Sequence, residues 1–294
     1  MKTISTYSFD NKVSFNEELL QSKEYRPLGR LESQRLSVKP LFDETVLQNV
    51  ENFTVVGFVY EERKEPDSEM VAEEVENRIN EFPNVSEEAI AQIEEDVYTK
   101  LKYYAGTKKT NFKVYIDHTK GLMIFDTTRK MVDNVIGEVL SLLEDSSIGL
   151  SIVQPDAPIM ENLLTEFIVT SKLLPDTMVV LDKVNLGAKS EFDKSPKQAT
   201  IKIVKEDPES TQVMDWIKQG KVVKSLQIEN DGGLEFTINN QFNITGGKFV
   251  EWAKVETDEE LAPSVEFMQK AVVQLPLVFN TVESLIKAAK KVEI

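Results

Sequence analysis

The spacing of apolar residues changes repeatedly along this chain, from the two-residue repeat of a strand to the repeat of a helix. This pattern limits the fold more than any other feature. The segment 112–117 alternates apolar with other residues, as a strand with one buried face does. The turn 118–121 and the apolar segment 122–125 follow it directly. A second hairpin is indicated at 221–238, with Asp-Gly-Gly at its turn. Successive hairpins separated by helices predict an α+β fold with antiparallel sheets.

The remaining elements are predicted from the same two periods. Strands are expected at 3–9, 53–61, 148–153, 177–181, 199–204 and 242–244. Helices are expected at 16–22, 132–143, 160–170, 208–219 and 261–291, the last with a kink or break at Pro276.

Two strongly acidic helices are predicted between residues 67 and 101. Ser86 is the expected N-cap of the second helix. Residues 61–100 hold 14 acidic and 4 basic side chains, a net charge of -10. The apolar stripes are narrow, so each helix has only a thin face to bury. The stripes are Val71, Val75, Ile79 and Phe82, then Ile90, Ile93, Val97 and Leu101.

Basic residues are concentrated elsewhere, although the whole chain carries a formal charge of -16. Residues 100–130 hold eight basic side chains against two acids, and residues 194–224 hold seven lysines against four acids. A net negative charge disfavours nucleic acid, but local basic surfaces decide whether phosphates can bind. Solvated faces of either sign are the simpler interpretation of each segment.

No catalytic residue, metal site or cofactor is predicted. The chain has no cysteine and a single histidine, His118, in a predicted turn, so the common zinc motifs are excluded. Asp176 with Asp182-Lys183 resembles a two-metal nuclease set only faintly, because its spacing departs from the familiar pattern.

The expected location is the cytoplasm of a bacterium, or of a bacterium infected by a virus. No run of about 18 apolar residues is present, so no membrane-spanning helix is expected. The first ten residues lack the apolar segment of a signal peptide.

Lysines interleaved with tyrosines on exposed strands are typical of a phosphate-contacting surface. Lys113 and Tyr115 are expected on one exposed face of their strand, opposite Phe112, Val114 and Ile116. The candidate DNA-binding residues are Lys102, Lys108, Lys109, Lys113, Lys202, Lys205, Lys221 and Lys224.

Several segments, in order, resemble the recombination-associated RdgC family. Residues 113–126 (KVYIDHTKGLMIFD) resemble its central strand-turn-strand signature, and residues 199–228 resemble its second signature, a basic strand followed by a helix and Gly-Lys-Val-Val. Tyr7, the helix with Glu17-Glu18-Leu19 and the following Arg26-Pro27 fit the N-terminal layout. The resemblance covers about residues 1–255, and its divergence prompts the hypothesis of a phage-encoded member.

The resemblance implies a horseshoe-shaped monomer with a projecting helical tip. Its regions would be a centre (1–62 and 111–165), an acidic helical tip (63–110) and a base (166–294). It also implies a non-enzymatic protein that binds double-stranded DNA without sequence preference. Two monomers would close a ring with a basic hole, and the protein would restrain a RecA-type recombinase on the nucleoid.

By the same resemblance, Lys205 matches a family lysine that faces the hole, and Lys202 matches a basic residue beside it. The chain departs from the family at Gly106, where the family has a phenylalanine important for closure at the tip, and at Tyr104, where it has a basic residue. Lys102, Lys108 and Lys109 are the candidates to compensate.

A second hypothesis stays open from the charge pattern. The acidic helices could imitate DNA phosphates and occupy the DNA site of a host recombinase or nuclease. Free DNA would then not bind, whereas the first hypothesis requires that it does.

Overall fold

A computed structural model describes residues 3–10, 13–29, 32–81, 86–145, 149–189, 200–254 and 261–292. The strands are β1 (Thr3–Ser8), β2 (Gln34–Val38), β3 (Leu47–Val50), β4 (Phe53–Arg63), β5 (Thr107–Asp117), β6 (Leu122–Phe125), β7 (Ser151–Ile152), β8 (Met178–Gly187), β9 (Ile201–Val204), β10 (Val222–Asn230), β11 (Leu234–Asn239) and β12 (Ile244–Phe249). The helices are α1 (Glu17–Ser22), α2 (Ser68–Asn80), α3 (Glu87–Tyr104), α4 (Arg129–Leu140), α5 (Ala157–Val169), α6 (Thr211–Lys218) and α7 (Pro263–Val292).

The strands form a twelve-stranded antiparallel sheet in the described part of the chain, which confirms the predicted α+β class. Their order is β2-β4-β5-β6-β1-β12-β11-β10-β8-β9, with β3 paired to β4 and β7 paired to β1. The chain divides into two compact units: unit 1 comprises 1–16, 40–56 and 113–294, and unit 2 comprises 17–39 and 57–112. The horseshoe outline and its three regions stay predictions.

The core of unit 1 lies where α5 and α7 pack with strands β8 to β12. Leu163, Leu164 and Phe167 of α5 join Leu275 and Phe279 of α7 in one buried apolar cluster. The alternation of buried and half-buried residues in β11 shows why the sequence favours a strand there: one face meets the helices.

The hairpin turn between β10 and β11 is tied to α7. Asn230 Nδ2 donates to Thr281 Oγ1 at 2.5 Å, and both side chains are buried. A Cβ on Gly232 would meet the end of the Leu277 side chain, so a larger residue there would require that side chain to shift.

Helix α7 is continuous through Pro276, so the predicted kink or break does not end it. By length and composition alone it could cross a membrane. This is weak evidence for a span, because core helices pass the same test and Leu275, Phe279 and Val282 are buried within unit 1.

Tyr115 corrects the predicted exposed face of β5. Its ring is 8% exposed and belongs to the main core of unit 1, while Val114 and Ile116 are fully buried on the other face. Burial raises the pKa of the Tyr115 phenol far above its usual value. The alternation of residue types in β5 did not predict the burial of Tyr115, because tyrosine is found on both exposed and buried strand faces.

Unit 2 holds the acidic helices α2 and α3. Asp67 caps α2 by accepting from the Glu69 amide at 2.8 Å. Ser86 caps α3, as predicted, by accepting from the Ala89 amide at 3.3 Å. Only Val75 and Val97 are buried in these two helices, which confirms the narrow stripe. Phe82, the last residue of the first predicted stripe, and Pro83-Asn84, where that helix is expected to break, lie outside the described residues.

Arg63 joins three segments of unit 2. Its guanidinium donates to the carbonyl oxygens of Glu32 (3.1 Å), Tyr103 (3.0 Å) and Gly29 (3.0 Å), and it lies over the Tyr103 ring. A lysine cannot reproduce this planar set of donors.

Replacing Arg63 with lysine is therefore expected to lower the free energy of unfolding by about 1–3 kcal/mol, the cost of leaving part-buried acceptors unpaired. Urea denaturation measures the change, with Arg26→Lys as the control because Arg26 is exposed and bonds only to Glu32 among the described residues. Equal stabilities of the two variants would contradict the role given to Arg63.

Candidate nucleic-acid interface

The predicted lysines fall into both units. Lys102, Lys108 and Lys109 belong to unit 2, and Lys113, Lys202, Lys205, Lys221 and Lys224 belong to unit 1.

The edge strand β9 exposes two of the lysines. Ile203 points into the core, and Lys202 and Val204 point to solvent, because successive side chains alternate across a strand. Lys205 leaves the strand with φ of 62°, and its amide donates to the Asp182 carbonyl oxygen at 3.0 Å. Within the described ranges neither lysine makes an ion pair, so both ammonium groups face water.

Lys183 extends this surface, and sequence reasoning missed it. It lies in β8 opposite Val204, and Asn185 lies opposite Lys202. Residues opposite each other in antiparallel strands point to the same face, so Lys183 shares the solvent face of Lys202. Lys183, Lys202 and Lys205 are called the edge lysines below. The only sequence signal for Lys183 was its place beside Asp182, which pointed to a nuclease set instead.

Lys224 is engaged in a buried ion pair. Its Nζ lies 2.6 Å from Glu161 Oε1, and the Glu161 carboxylate is only 2% exposed. Asn240 Nδ2 donates to the same oxygen at 2.8 Å. The charge of Lys224 thus neutralises a carboxylate inside unit 1. Lys221, half-buried, follows α6 and donates its amide to the Trp216 carbonyl oxygen at 3.1 Å.

Lys113 is half-buried and contacts an aromatic ring. Its Nζ lies 5.2 Å from the centroid of Phe267 in α7, within the range of a cation–π interaction. Its stem therefore packs on unit 1, and only part of the side chain is accessible.

In unit 2 lysines of α3 and β5 pair with carboxylates of the acidic stretch that are distant in sequence. The ion pairs are Lys102 with Glu65 (2.9 Å), Lys108 with Glu62 (3.4 Å), Lys109 with Glu61 (3.9 Å) and Lys100 with Glu74 (3.3 Å). A hydrogen bond to Tyr25 is the main cause that raises the pKa of Lys109. A DNA phosphate would have to compete with a carboxylate at each of these lysines.

The whole chain matches a known family. Residues 1–291 match the family described as "Putative exonuclease, RdgC". The chain belongs to the RdgC family.

Two curated relatives are similar to the chain over nearly their full length. The "Recombination-associated protein RdgC" of Mannheimia succiniciproducens is 22% identical over 273 residues, which is 88% of this chain and 86% of that protein. The protein of the same name from Actinobacillus succinogenes is 21% identical over the same shares. These matches confirm the resemblance; the phage origin stays a prediction.

The family is described as a putative exonuclease, but the described residues contain no cluster that could hold a catalytic metal ion. No group of three or more His, Asp or Glu side chains is placed there to hold an ion. Asp176, Asp182 and Lys183 are exposed near or on β8. The exposed His118 has its Nε2 2.8 Å from Thr54 Oγ1.

The two departures from the RdgC pattern lie together at the end of α3. Gly106 accepts from the Lys64 amide at 2.8 Å, and no other group lies within 4 Å of a Cβ built on it. Tyr104 is 75% exposed and its ring makes an edge contact with Tyr103. A Cβ at Gly106 would therefore meet no neighbouring group; the resemblance implies a phenylalanine at this position in the family.

Proposed function

We propose that this RdgC-family protein binds double-stranded DNA without sequence preference and does not cut it. The observation that carries the proposal is the group of edge lysines: Lys183 and Lys202 share the solvent face of β8 and β9, Lys205 follows β9 directly, and none of them has an ion pair among the described residues. Such lysines bind phosphates and release counterions, which gives affinity without recognition of base sequence. No cofactor is required for this activity.

The proposal includes a homodimer that encloses DNA as a ring and restrains a RecA-type recombinase at the bacterial nucleoid. Family membership and the names of the two relatives support the link to recombination. A closed ring would also explain how a chain of charge -16 stays on DNA, because dissociation then requires the ring to open. Lys221 and Lys113 are secondary candidates for phosphate contact, and the unit 2 lysines are weaker ones because carboxylates already pair with them.

Binding to a labelled duplex should weaken steeply between about 50 and 200 mM salt. The variant Lys202→Glu/Lys205→Glu should bind at least about tenfold more weakly at the lower salt. Its plot of log affinity against log salt should be less steep by about 2, since each phosphate contact contributes about 0.9 to the steepness. Fluorescence anisotropy measures both quantities.

The control Lys172→Glu/Lys270→Glu carries the same change of net charge on exposed or half-exposed lysines outside β8 and β9. Equal loss in both variants would show that only total charge matters and would contradict the edge-lysine site. The duplex should remain intact after incubation with Mg²⁺; shortened DNA would replace the non-enzymatic proposal with a nuclease.

The acidic helices support a second candidate, a DNA mimic that occupies the site of a recombinase or nuclease. Seven glutamates of α2 and α3 are exposed and form no ion pair in the described part of the chain: Glu69, Glu73, Glu76, Glu87, Glu88, Glu94 and Glu95. This candidate predicts no duplex binding even at low salt, and loss of inhibition when these residues become glutamine. Recombinase assays with that variant and with Lys202→Glu/Lys205→Glu distinguish the two candidates.

A further inference from the structure

A groove runs along the C-terminal half of α7, entirely within unit 1. Its volume is about 420 Å³, in the range of sites that hold small ligands or a few side chains of a peptide. The walls come from α7, from the short edge strand β7 with the residues after it, and from the β5–β6 turn. Lining residues used below are Lys120, Ile152, Pro155, Ile286, Lys287 and Lys290.

The rim of the groove is positively charged. Glu283 lies between two ammonium groups: it pairs with Lys120 and, at 2.5 Å, with Lys287. These hydrogen bonds, with Lys120 the larger cause, lower the pKa of Glu283, so its carboxylate stays ionised. Lys290 is exposed and makes no ion pair among the described residues. Three lysines and one carboxylate leave the rim with two net positive charges.

Two of these lysines are placed to act together. Lys287 and Lys290 are three residues apart on α7, so they lie on the same side of the helix about 5–6 Å apart at their Cβ atoms. The Lys287 side chain is 67% exposed, so its ammonium group can turn from Glu283 toward a ligand at small cost.

Part of the groove lining is aliphatic. Ile152 is 47% exposed, which is high for a large apolar residue, and Pro155 and Ile286 line the same groove. A groove lined by both apolar and cationic groups gains free energy from a ligand that supplies both apolar surface and negative charge. A DNA backbone supplies charge alone, so this groove fits a peptide better than a phosphate.

We propose that the groove binds an extended acidic segment of a partner protein, in which carboxylate side chains alternate with leucine or phenylalanine. The carboxylates would meet Lys287 and Lys290, and the apolar side chains would cover Ile152 and Ile286. Charge complementarity carries the choice of partner. This site is separate from the edge lysines and does not depend on the proposed DNA binding.

The probe is a synthetic peptide of alternating Asp and Leu or Phe, titrated into the full-length protein with ¹³C-labelled isoleucine methyl groups. The methyl signals of Ile152 and Ile286, assigned through Ile152→Val and Ile286→Val, should shift with saturation below about 1 mM, a modest affinity of about −4 kcal/mol. The buried Ile238, on β11, should not shift. No shift at 1 mM, or equal shifts with an Asn-for-Asp peptide, would overturn the proposal.

Variants then separate charge from apolar contact. Lys287→Glu/Lys290→Glu should weaken the peptide at least about tenfold, and Ile152→Ser should weaken it severalfold without a change of charge. The matched control Lys172→Glu/Lys270→Glu should change it less than about twofold; Lys270 lies 17 residues before Lys287 on α7, about 25 Å along the axis. Unchanged binding in Lys287→Glu/Lys290→Glu would overturn the proposal.

Competition identifies the source of the negative charge. Inorganic phosphate and a short duplex should displace the peptide only at concentrations that act through ionic strength. Displacement by either at lower concentration would show a general anion or DNA site instead. Because DNA binding is measured on the same variants, loss of peptide binding with retained DNA binding, or the reverse, tells the two proposals apart.

Discussion

Replacing Glu161 with alanine is expected to lower the free energy of unfolding by about 3–5 kcal/mol, because the change leaves the charge of Lys224 buried without its carboxylate. The Glu161 side chain is 2% exposed and that of Lys224 is 22% exposed, so water cannot replace the lost partner fully. Asn240 would lose its acceptor as well.

Urea denaturation followed by circular dichroism measures this effect. The control is Glu166→Ala on the same helix α5, where the carboxylate is only half-buried and accepts from Thr170 at 3.0 Å. Its loss should stay below about 1 kcal/mol. A loss of that small size in Glu161→Ala would mean that the ion pair is hydrated or rearranged in solution.

The double variant Glu161→Leu/Lys224→Met tests the function of Lys224 as well. Replacing both charges by apolar groups of similar size is often neutral or stabilising, so most of the lost stability should return. If Lys224 has only this structural role, the folded double variant should bind duplex DNA nearly as tightly as the original protein. A large loss of DNA affinity would restore Lys224 to the phosphate-contacting set.

Local patterns predicted most of the fold. Apolar spacing and turn or cap residues within a few positions of one another were enough to predict three features: the hairpin at 113–125, the cap at Ser86 and the helix that ends at Leu140. Strands β2 and β3 were not predicted, because both are short and partly polar and depend on pairing with the long strand β4.

The candidate site was harder to predict because the partner of each lysine is distant in sequence. Glu161 lies 63 positions before Lys224, and Glu65 lies 37 positions before Lys102. Composition gives the local excess of charge, but only the packed chain shows which ammonium groups are neutralised. The same limit hid Lys183, which joins Lys202 only through the register of β8 and β9.

Removing the ring of Phe279 is the second large perturbation, and it tests whether α7 is a core helix. Phe279 is fully buried and its ring stacks on Phe53 with centroids 5.4 Å apart. Phe279→Ala should therefore lower the free energy of unfolding in aqueous buffer by about 3–5 kcal/mol through lost burial and the cavity left behind.

Val273 on the same helix supplies the control, because its side chain is 54% exposed. Val273→Ala should change stability by less than about 0.5 kcal/mol. If α7 instead left the sheet and entered a membrane, Phe279→Ala would leave the stability in buffer unchanged and would weaken binding to lipid vesicles. A large loss of stability in buffer, without binding to vesicles, would show that the apolar residues of α7 serve to pack the helix on the sheet. The helix would then be a fixed wall of the groove beside Lys287.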